Sequence, residues 1–473
     1  VPLAKTLARI VGAHHVITAP SRLITYESDG LPGYRRAPSL AVFPGTRDEL
    51  IAVVRALAAA GTPFVARGAG TGLSGGALAD GVVLLGLNRL KRIISIDADA
   101  RTATVEPGVV NATLTREAAA FGLHYAPDPS SQTACTIGGN LAENAGGPHC
   151  LKYGVTLNHV VRATVALPEG DLVTLGRGDD GSGYDLLGAF TGSEGCFGVA
   201  VEVTVRLTPN PERIITLLAD FMAVRDAAEA TSAIIAAGIV PAALELMDGP
   251  TIQAVERSIY AAGYPIDAAA VLLIEVDGAA AGLEDDATAV EHLCRAARAR
   301  GVRVAHDAIE RAKLWQGRKK AFGAMGRVGS HLMVQDAVVP RTQLAPLLER
   351  IAEIGTRHGV RVCNVFHAGD GNLHPNIPYD ANDEDESARV HRAMGEIMRL
   401  CIASGGTITG EHGVGLDKLR YMEELFTPDT LDAMCGLREA FDPRRRANPG
   451  KAVPVHSCKE WHGVATGRAS ATQ

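Results

Sequence analysis

Close cysteine pairs are the first thing missing from this chain. Its eight cysteines stand at 135, 150, 196, 294, 363, 401, 435 and 458, with no C-x-x-C spacing among them. That argues against a disulfide scaffold, a zinc ribbon or an iron–sulfur cluster, and suits a reducing compartment. Aromatic residues are scarce as well, at 4%, so the cores must be built mainly from Ala, Val, Leu and Ile. A basic excess is also lacking. The net charge is −7, which offers no stripe to neutralise phosphates and argues against nucleic-acid binding. The most apolar long stretch, ATSAIIAAGIVPAALELM, carries Pro241 and Glu245 and is too short to span a bilayer. The opening VPLAKTLARIVGAHHVIT lacks the charged, apolar and cleavage-site layout of a secretory signal. A cytoplasmic protein is expected, associated with a membrane only through partners.

What is present is an α+β pattern over 473 residues. Residues 1–36 read as one helix and an irregular lead-in. SLAVFPGTRDELIAVVRALAAAGTPFVARG follows as strand, helix and strand, and two short strands flank the turn DADAR. NATLTREAAAFGL reads as a helix with Asn111 or Thr113 near its cap. The Pro-rich TPNPER at 208–213 marks a boundary between a domain over 37–212 and a second over 213–453, where alanine-rich helices alternate with strands. Residues 454–473 lose periodicity and read as a loose tail.

VARGAGTGLSGGALADGVV, residues 65–83, contains G-x-G-x-x-G at Gly70, Gly72 and Gly75 after a strand. A Rossmann site needs a helix directly behind those glycines, to aim its amides at a pyrophosphate. Only SGGALADG separates this loop from the next strand, so the Rossmann reading fails. The glycines can still form an anion nest, because residues free to take positive φ turn successive N–H groups the same way. Two more glycine-rich tracts follow, PDPSSQTACTIGGNLAENAGGPHCLKYGVT at 127–156 and TGSEGCFGVAVEVTV at 191–205.

Arg67-Gly68-Ala69-Gly70-Thr71-Gly72, Ile137-Gly138-Gly139-Asn140 and Gly192-Ser193-Glu194-Gly195 resemble the motifs of the vanillyl-alcohol-oxidase-type FAD domain. The resemblance implies a two-part FAD-binding domain over 37–212, followed by an α+β substrate domain and a C-terminal helical segment. It places FAD against Arg67 through Gly72, Ser74, Gly75, Pro127, Thr133, Gly138, Gly139, Asn140, Asn144, Gly146, Gly147, Glu194, Gly195, Gly198, Val199 and Asn448. Covalent members attach the flavin through a histidine in or near the glycine loop. This loop has none, which implies non-covalent FAD.

VFHAGDGNLHPNI, residues 365–377, sets two histidines around an Asp-Gly pair. A two-residue hairpin turn at Asp370-Gly371 places Gly369 opposite Asn372 and His367 opposite His374, on one face of the ribbon. Both imidazoles then reach one cation. TITGEHGVGLDKL at 407–419 supplies a carboxylate, Glu411, beside His412. Two imidazoles and one carboxylate with open positions left over make a catalytic site, suited to Zn²⁺, with Mn²⁺ or Fe²⁺ also compatible.

HAGDGNLH and GEHGVG, with WQGRKKAFGAMGR at 315–327 and FDPRRRANPGK at 441–451, resemble the FAD-linked 2-hydroxyacid dehydrogenases. The resemblance implies oxidation of a 2-hydroxy acid to the 2-oxo acid, with FAD as hydride acceptor. Metal ligands would be His367, His374 and Glu411, with His412 as base. Arg318 would clamp the substrate carboxylate through paired N–H donors, and Asn376 would add a polar contact. Family members acting on D-2-hydroxyglutarate carry a basic residue near the position of Val334. An apolar residue there favours glycolate or D-lactate. Electrons must leave to an external acceptor: an iron–sulfur partner subunit, a quinone, a cytochrome or an electron-transfer flavoprotein. A homodimer or a hetero-oligomeric complex is compatible with this. Ether-lipid synthases share the FAD fold without net redox and form the rival reading, against which the histidine signature speaks.

Overall fold

The computed structural model describes residues 2–31, 33–176 and 183–454. All of the expected tail but Pro454 lies outside them. Chain contacts divide the protein into two units. The first holds the described residues of Val1–Gly146, Val155–Asn210 and Glu411–Gln473, and the second Gly147–Gly154 and Pro211–Gly410.

The first unit contains two main sheets, as a two-part FAD domain requires. In one, Leu40–Val42, Val83–Gly86 and Phe64–Arg67 run parallel, with Val16–Ile17 antiparallel at the edge. The helix Arg47–Ala59 connects two of these strands and is capped by Thr46, whose hydroxyl accepts the Glu49 N–H. Residues 68–82 join Phe64–Arg67 to Val83–Gly86 without a helix, in keeping with the rejected Rossmann reading. The other sheet is antiparallel, in the order Ile93–Asp97, Thr102–Val105, Val199–Arg206, Val160–Ala166 and Leu172–Gly176. The helix Asn111–Ala118 has Val110 at its N-cap with no side-chain cap, so neither Asn111 nor Thr113 acts there. Asn111 is buried instead, donating to Pro127 O and Asn140 Oδ1.

By contacts, the residues after Gly410 group with the first unit, a division that differs from a single boundary at 208–213. The chain returns to the first unit at Glu411. Backbone bonds explain the return. Phe64 N–H donates to Arg446 O and Asn448 N–H to Phe64 O, so 446–448 lies along the open edge of the parallel sheet. The excursion Gly147–Gly154 goes the other way, held to Asp277 of the second unit by Lys152 and by the Tyr153 hydroxyl at 2.6 Å.

The second unit is built on an antiparallel sheet in the order Gly301–Val304, Arg213–Phe221, Ala270–Gly278, Ala243–Asp248, Cys363–His367, Asn372–Leu373, Ala337–Val338. The strand Pro375–Tyr379 pairs both His331–Val334 and Cys363–His367. Alternation along each strand sorts the side chains. Ala243, Met247, Cys363 and Val365 join one core with Leu314 and Trp315 of the helix Ala308–Lys319. Leu246 and Phe366, register partners, point to the opposite face and are fully buried.

Phe366→Ala is expected to cost about 3–5 kcal/mol, because it leaves a large cavity beneath the strand that carries His367. Urea denaturation followed by circular dichroism measures this. A loss below about 1 kcal/mol would mean the ring is not packed as described.

Candidate active site

In the second unit the site begins with register. His367 pairs with Asn372, Asn364 with Pro375 and Cys363 with Asn376. The turn is therefore four residues, Ala368–Gly371, and not the two-residue turn read from the sequence. Gly371, at φ 78°, closes it by donating to Ala368 O. His367 does not face His374 directly. The shift is two residues, however, and an even shift leaves every side chain on its original face. His374 is the diagonal neighbour, and the two rings still meet, with centroids 5.1 Å apart at 83°.

Beneath the pair lies a residue that motif reasoning missed. Glu245 is the cross-strand partner of His367 and is fully buried. Its Oε1 accepts from His367 Nδ1 at 2.6 Å, and its Oε2 accepts from Arg318 Nε at 2.6 Å and lies 2.5 Å from Nη2. Burial pushes this carboxyl upward, but the Arg318 guanidinium and the His367 imidazole outweigh it and hold Glu245 below the ordinary carboxylate value. An ionised carboxylate only accepts, so His367 Nδ1 carries a proton and donates it to Glu245. Arg318 thus spends its Nε and Nη2 on Glu245. Its buried Nη1 has no partner among the described residues. A signal for Glu245 did exist in the sequence: it is the single acid inside the apolar run ALELM.

Asp336, also fully buried and also missed, lies beside His374. Its Oδ1 lies 3.4 Å from His374 Nε2, while Oδ2 accepts from Thr409 Oγ1 at 2.6 Å and Gly410 N–H at 2.9 Å. Asn376 is buried and donates to His374 O at 2.6 Å and Cys363 O at 3.3 Å. The buried Oδ1 atoms of Asn376 and Asn372, and Oε1 of Gln335, lack hydrogen-bond partners among the described residues. Glu411 follows Gly410 directly and begins the return to the first unit. There His412 Nε2 lies 4.0 Å from Glu411 Oε1.

In the first unit the glycine tracts meet each other. A Cβ on Gly68 would lie 2.4 Å from Thr136 Oγ1, the hydroxyl that accepts the Gly139 N–H, and one on Gly138 would lie 2.5 Å from Pro107 Cβ. Among the described residues, no N–H from Ala69 to Gly75 donates a hydrogen bond, and buried Ser74 Oγ has no partner. Gly70 at φ 70° and Gly75 at φ 77° bend this run, and a Cβ on Gly72 would meet nothing within 4 Å. Seven consecutive unspent amides fit a diphosphate. The amides of Ile137, Gly138 and Gly139 are instead spent on Val109 O, Pro107 O and Thr136 Oγ1. The Arg67 guanidinium is tied to the carbonyls of Tyr26 and Ser28.

Other expected contacts have structural partners of their own. Pro127 O accepts from Asn111, and Thr133 is exposed in a turn. Asn140 is buried, and Asn144 at φ 50° accepts the Leu157 N–H. Gly146 ends the first stretch of this unit and Gly147 opens the excursion. Gly195 has φ 71°, and a Cβ on Gly198 would lie 2.7 Å from Ala166 O as Val199 enters its strand. Asn448 donates to Gly76 O at 3.0 Å and Glu194 O at 2.5 Å. Beside it lie the buried Glu194 and the half-buried Glu143. Desolvation pushes Glu143 well above the usual range, with Glu194 and Asp29 adding to the push. Burial raises Glu194 too, opposed by the amides of Val414 and Gly415 and by Lys418 and Lys451.

Comparison with known proteins agrees with both halves of this description. Residues 38–176 match the family described as "FAD binding domain", and residues 210–452 match "FAD linked oxidases, C-terminal domain". Glycolate oxidase subunit GlcD of Escherichia coli (strain K12) is 45% identical over 449 residues, covering 94% of this chain and 90% of that protein. D-lactate dehydrogenase of Anaerostipes hadrus is 32% identical over 453 residues, covering 92% and 95%. The structure of p-cresol methylhydroxylase superposes with a TM-score of 0.81 over 96% of this chain and 97% of that one, at 16% identity, a likeness of fold alone. The architecture is the two-domain one of vanillyl-alcohol-oxidase-type FAD enzymes. The chain belongs to the family of FAD-linked oxidases.

Proposed function

We propose that this protein oxidises a small 2-hydroxy acid, glycolate or D-lactate, to the 2-oxo acid. The observation that carries this reading is the line Arg318–Glu245–His367, a cation and a ligating imidazole held by one buried carboxylate. Its Nη1 gives Arg318 a donor to spend on a substrate carboxylate, a charge-assisted bond stronger than a neutral one. The fork itself is committed to Glu245, so the clamp acts through Nη1 and not through both arms.

FAD would lie non-covalently with its diphosphate on the amides of Ala69–Gly75, with Ser74 Oγ as a further donor. A divalent ion would be held by His367, His374 and Glu411, and the donor types favour Zn²⁺ while admitting Mn²⁺ or Fe²⁺. When bound, these groups supply the hydride acceptor and the Lewis acid that makes the hydroxyl proton labile. The chain does the rest. His412 takes the hydroxyl proton on an imidazole nitrogen. Glu245 fixes the His367 tautomer, and Asn376 adds a polar contact. Val334, buried and in register with Asn376, offers no cation to a second carboxylate, which favours small substrates.

The electron acceptor is external. The name "glycolate oxidase subunit" borne by the relative supports an assembly of several subunits, in which an iron–sulfur partner, a quinone, a cytochrome or an electron-transfer flavoprotein would take the electrons. No helix of the described residues is long and apolar enough to cross a membrane. A cytoplasmic place with membrane association through partners fits this reading.

Anaerobic addition of glycolate or D-lactate is expected to bleach the flavin, with 2-hydroxyglutarate far slower; bleaching by 2-hydroxyglutarate alone would move the assignment to that substrate. His412→Ala is expected to keep FAD and metal but lose turnover by about 10²–10⁴-fold. A nearly native rate in that variant would place the base elsewhere. Glu245→Gln is expected to weaken metal affinity by about 10–100-fold, read by titration of apo-protein, because an amide can accept from only one of His367 and Arg318 and sets its NH2 against the other. Unchanged affinity would remove His367 from the ligand set.

A further inference from the structure

The mechanism above leaves Glu194 without a task, although it is a buried acid on a strained backbone. We propose that Glu194 is a positioning residue for His412, its carboxylate fixing the turn 413–415 and with it the direction in which the imidazole leaves the chain. The proposal rests on the reading of His412 as base.

Glu194 Oε1 accepts the Val414 N–H and Oε2 accepts the Gly415 N–H, each at 2.7 Å. One carboxylate thus spans two consecutive amides, a geometry that requires both N–H groups to point the same way. Positive φ at Gly413 (83°) and Gly415 (51°) provides it. Neither glycine has room for a side chain. A Cβ on Gly413 would lie 2.8 Å from Glu194 Oε1 and 3.0 Å from Glu143 Oε2, and one on Gly415 would lie 2.1 Å from Ser74 O. Ser74 O also accepts the amides of Leu416 and Asp417, so the grip extends along the loop.

Glu194 is itself over-determined. It sits at φ 53°, a left-handed conformation that a glutamate adopts only when its surroundings hold it there. Its N–H is bound to Ala142 O and its C=O to Asn448 Nδ2, which hold it there. The sequence motif suggested a cofactor contact for this residue, yet both carboxylate oxygens are engaged by the loop. Within the first unit, only Glu411 and His412 precede the clamped turn. A base displaced by about 1 Å loses roughly 100-fold in rate, while substrate affinity need not change.

The test uses the holoenzyme. Glu194→Gln sets an amide donor against one of the two N–H groups. The expected result is kcat lower by about 10–100-fold with KM within about threefold, and FAD and metal content unchanged. Amide hydrogen exchange across 411–416 should quicken by about tenfold or more. Gly413→Ala, which presses a methyl group into the same carboxylate, is expected to give the same pattern. Loss of FAD in step with activity would make Glu194 a cofactor contact and overturn the proposal; so would native exchange or a native kcat in a folded variant. If neither variant folds, the wild-type protein decides, since fast exchange at Val414 and Gly415 would contradict the clamp. Native turnover in His412→Ala sinks the role of the base separately, because the exchange measurement reads the loop without reference to catalysis.

Discussion

A carboxylate with no access to water must be matched, and the second unit is organised around matching Glu245. Removing such a charge from solvent costs several kcal/mol, recovered only when its lone pairs are filled by well-placed donors. Arg318 reaches it from the helix Ala308–Lys319, and His367 reaches it from the neighbouring strand. Helix, two strands and a tautomer are therefore fixed by one residue. Replacing any of the three would leave a buried charge or donor unpaired. That makes the arrangement rigid before any ligand arrives, as a site intended to hold a reacting atom within a fraction of an ångström requires.

In the first unit the same end is reached with backbone. Glycines there serve different purposes that a motif cannot separate. Gly68 and Gly138 are small because another part of the chain occupies the space a Cβ would need. Gly70 and Gly75 take positive φ and curve a run of amides with no acceptor among the described residues. The first kind closes the fold, and the second leaves donors for an anion.

This distinction explains what the sequence could and could not reveal. The exclusion of a Rossmann helix was legible because eight residues between a loop and a strand leave no room for one. The shared face of His367 and His374 was legible through parity, although the register was off by two, because Gly371 accommodates a four-residue turn as readily as a two-residue one. Glu245 was visible as an acid among apolar neighbours but had no assigned partner, since pairing of Ala243–Asp248 with Cys363–His367 joins residues 122 apart in the chain. The return to the first unit at Glu411 was hidden for a similar reason. It depends on 446–448 finding the edge of a strand at Phe64, a pairing that no local pattern announces.

Burial also decides which donors of Arg318 are left for a ligand. Nε and Nη2 lie on Glu245, and the buried Nη1 has no partner among the described residues. A buried N–H that bonds nothing costs about 1–3 kcal/mol, which an incoming anionic group would remove by accepting from it. The carboxylate that orients the guanidinium also accepts from His367 Nδ1, so a change at Glu245 reaches the cation and the imidazole together.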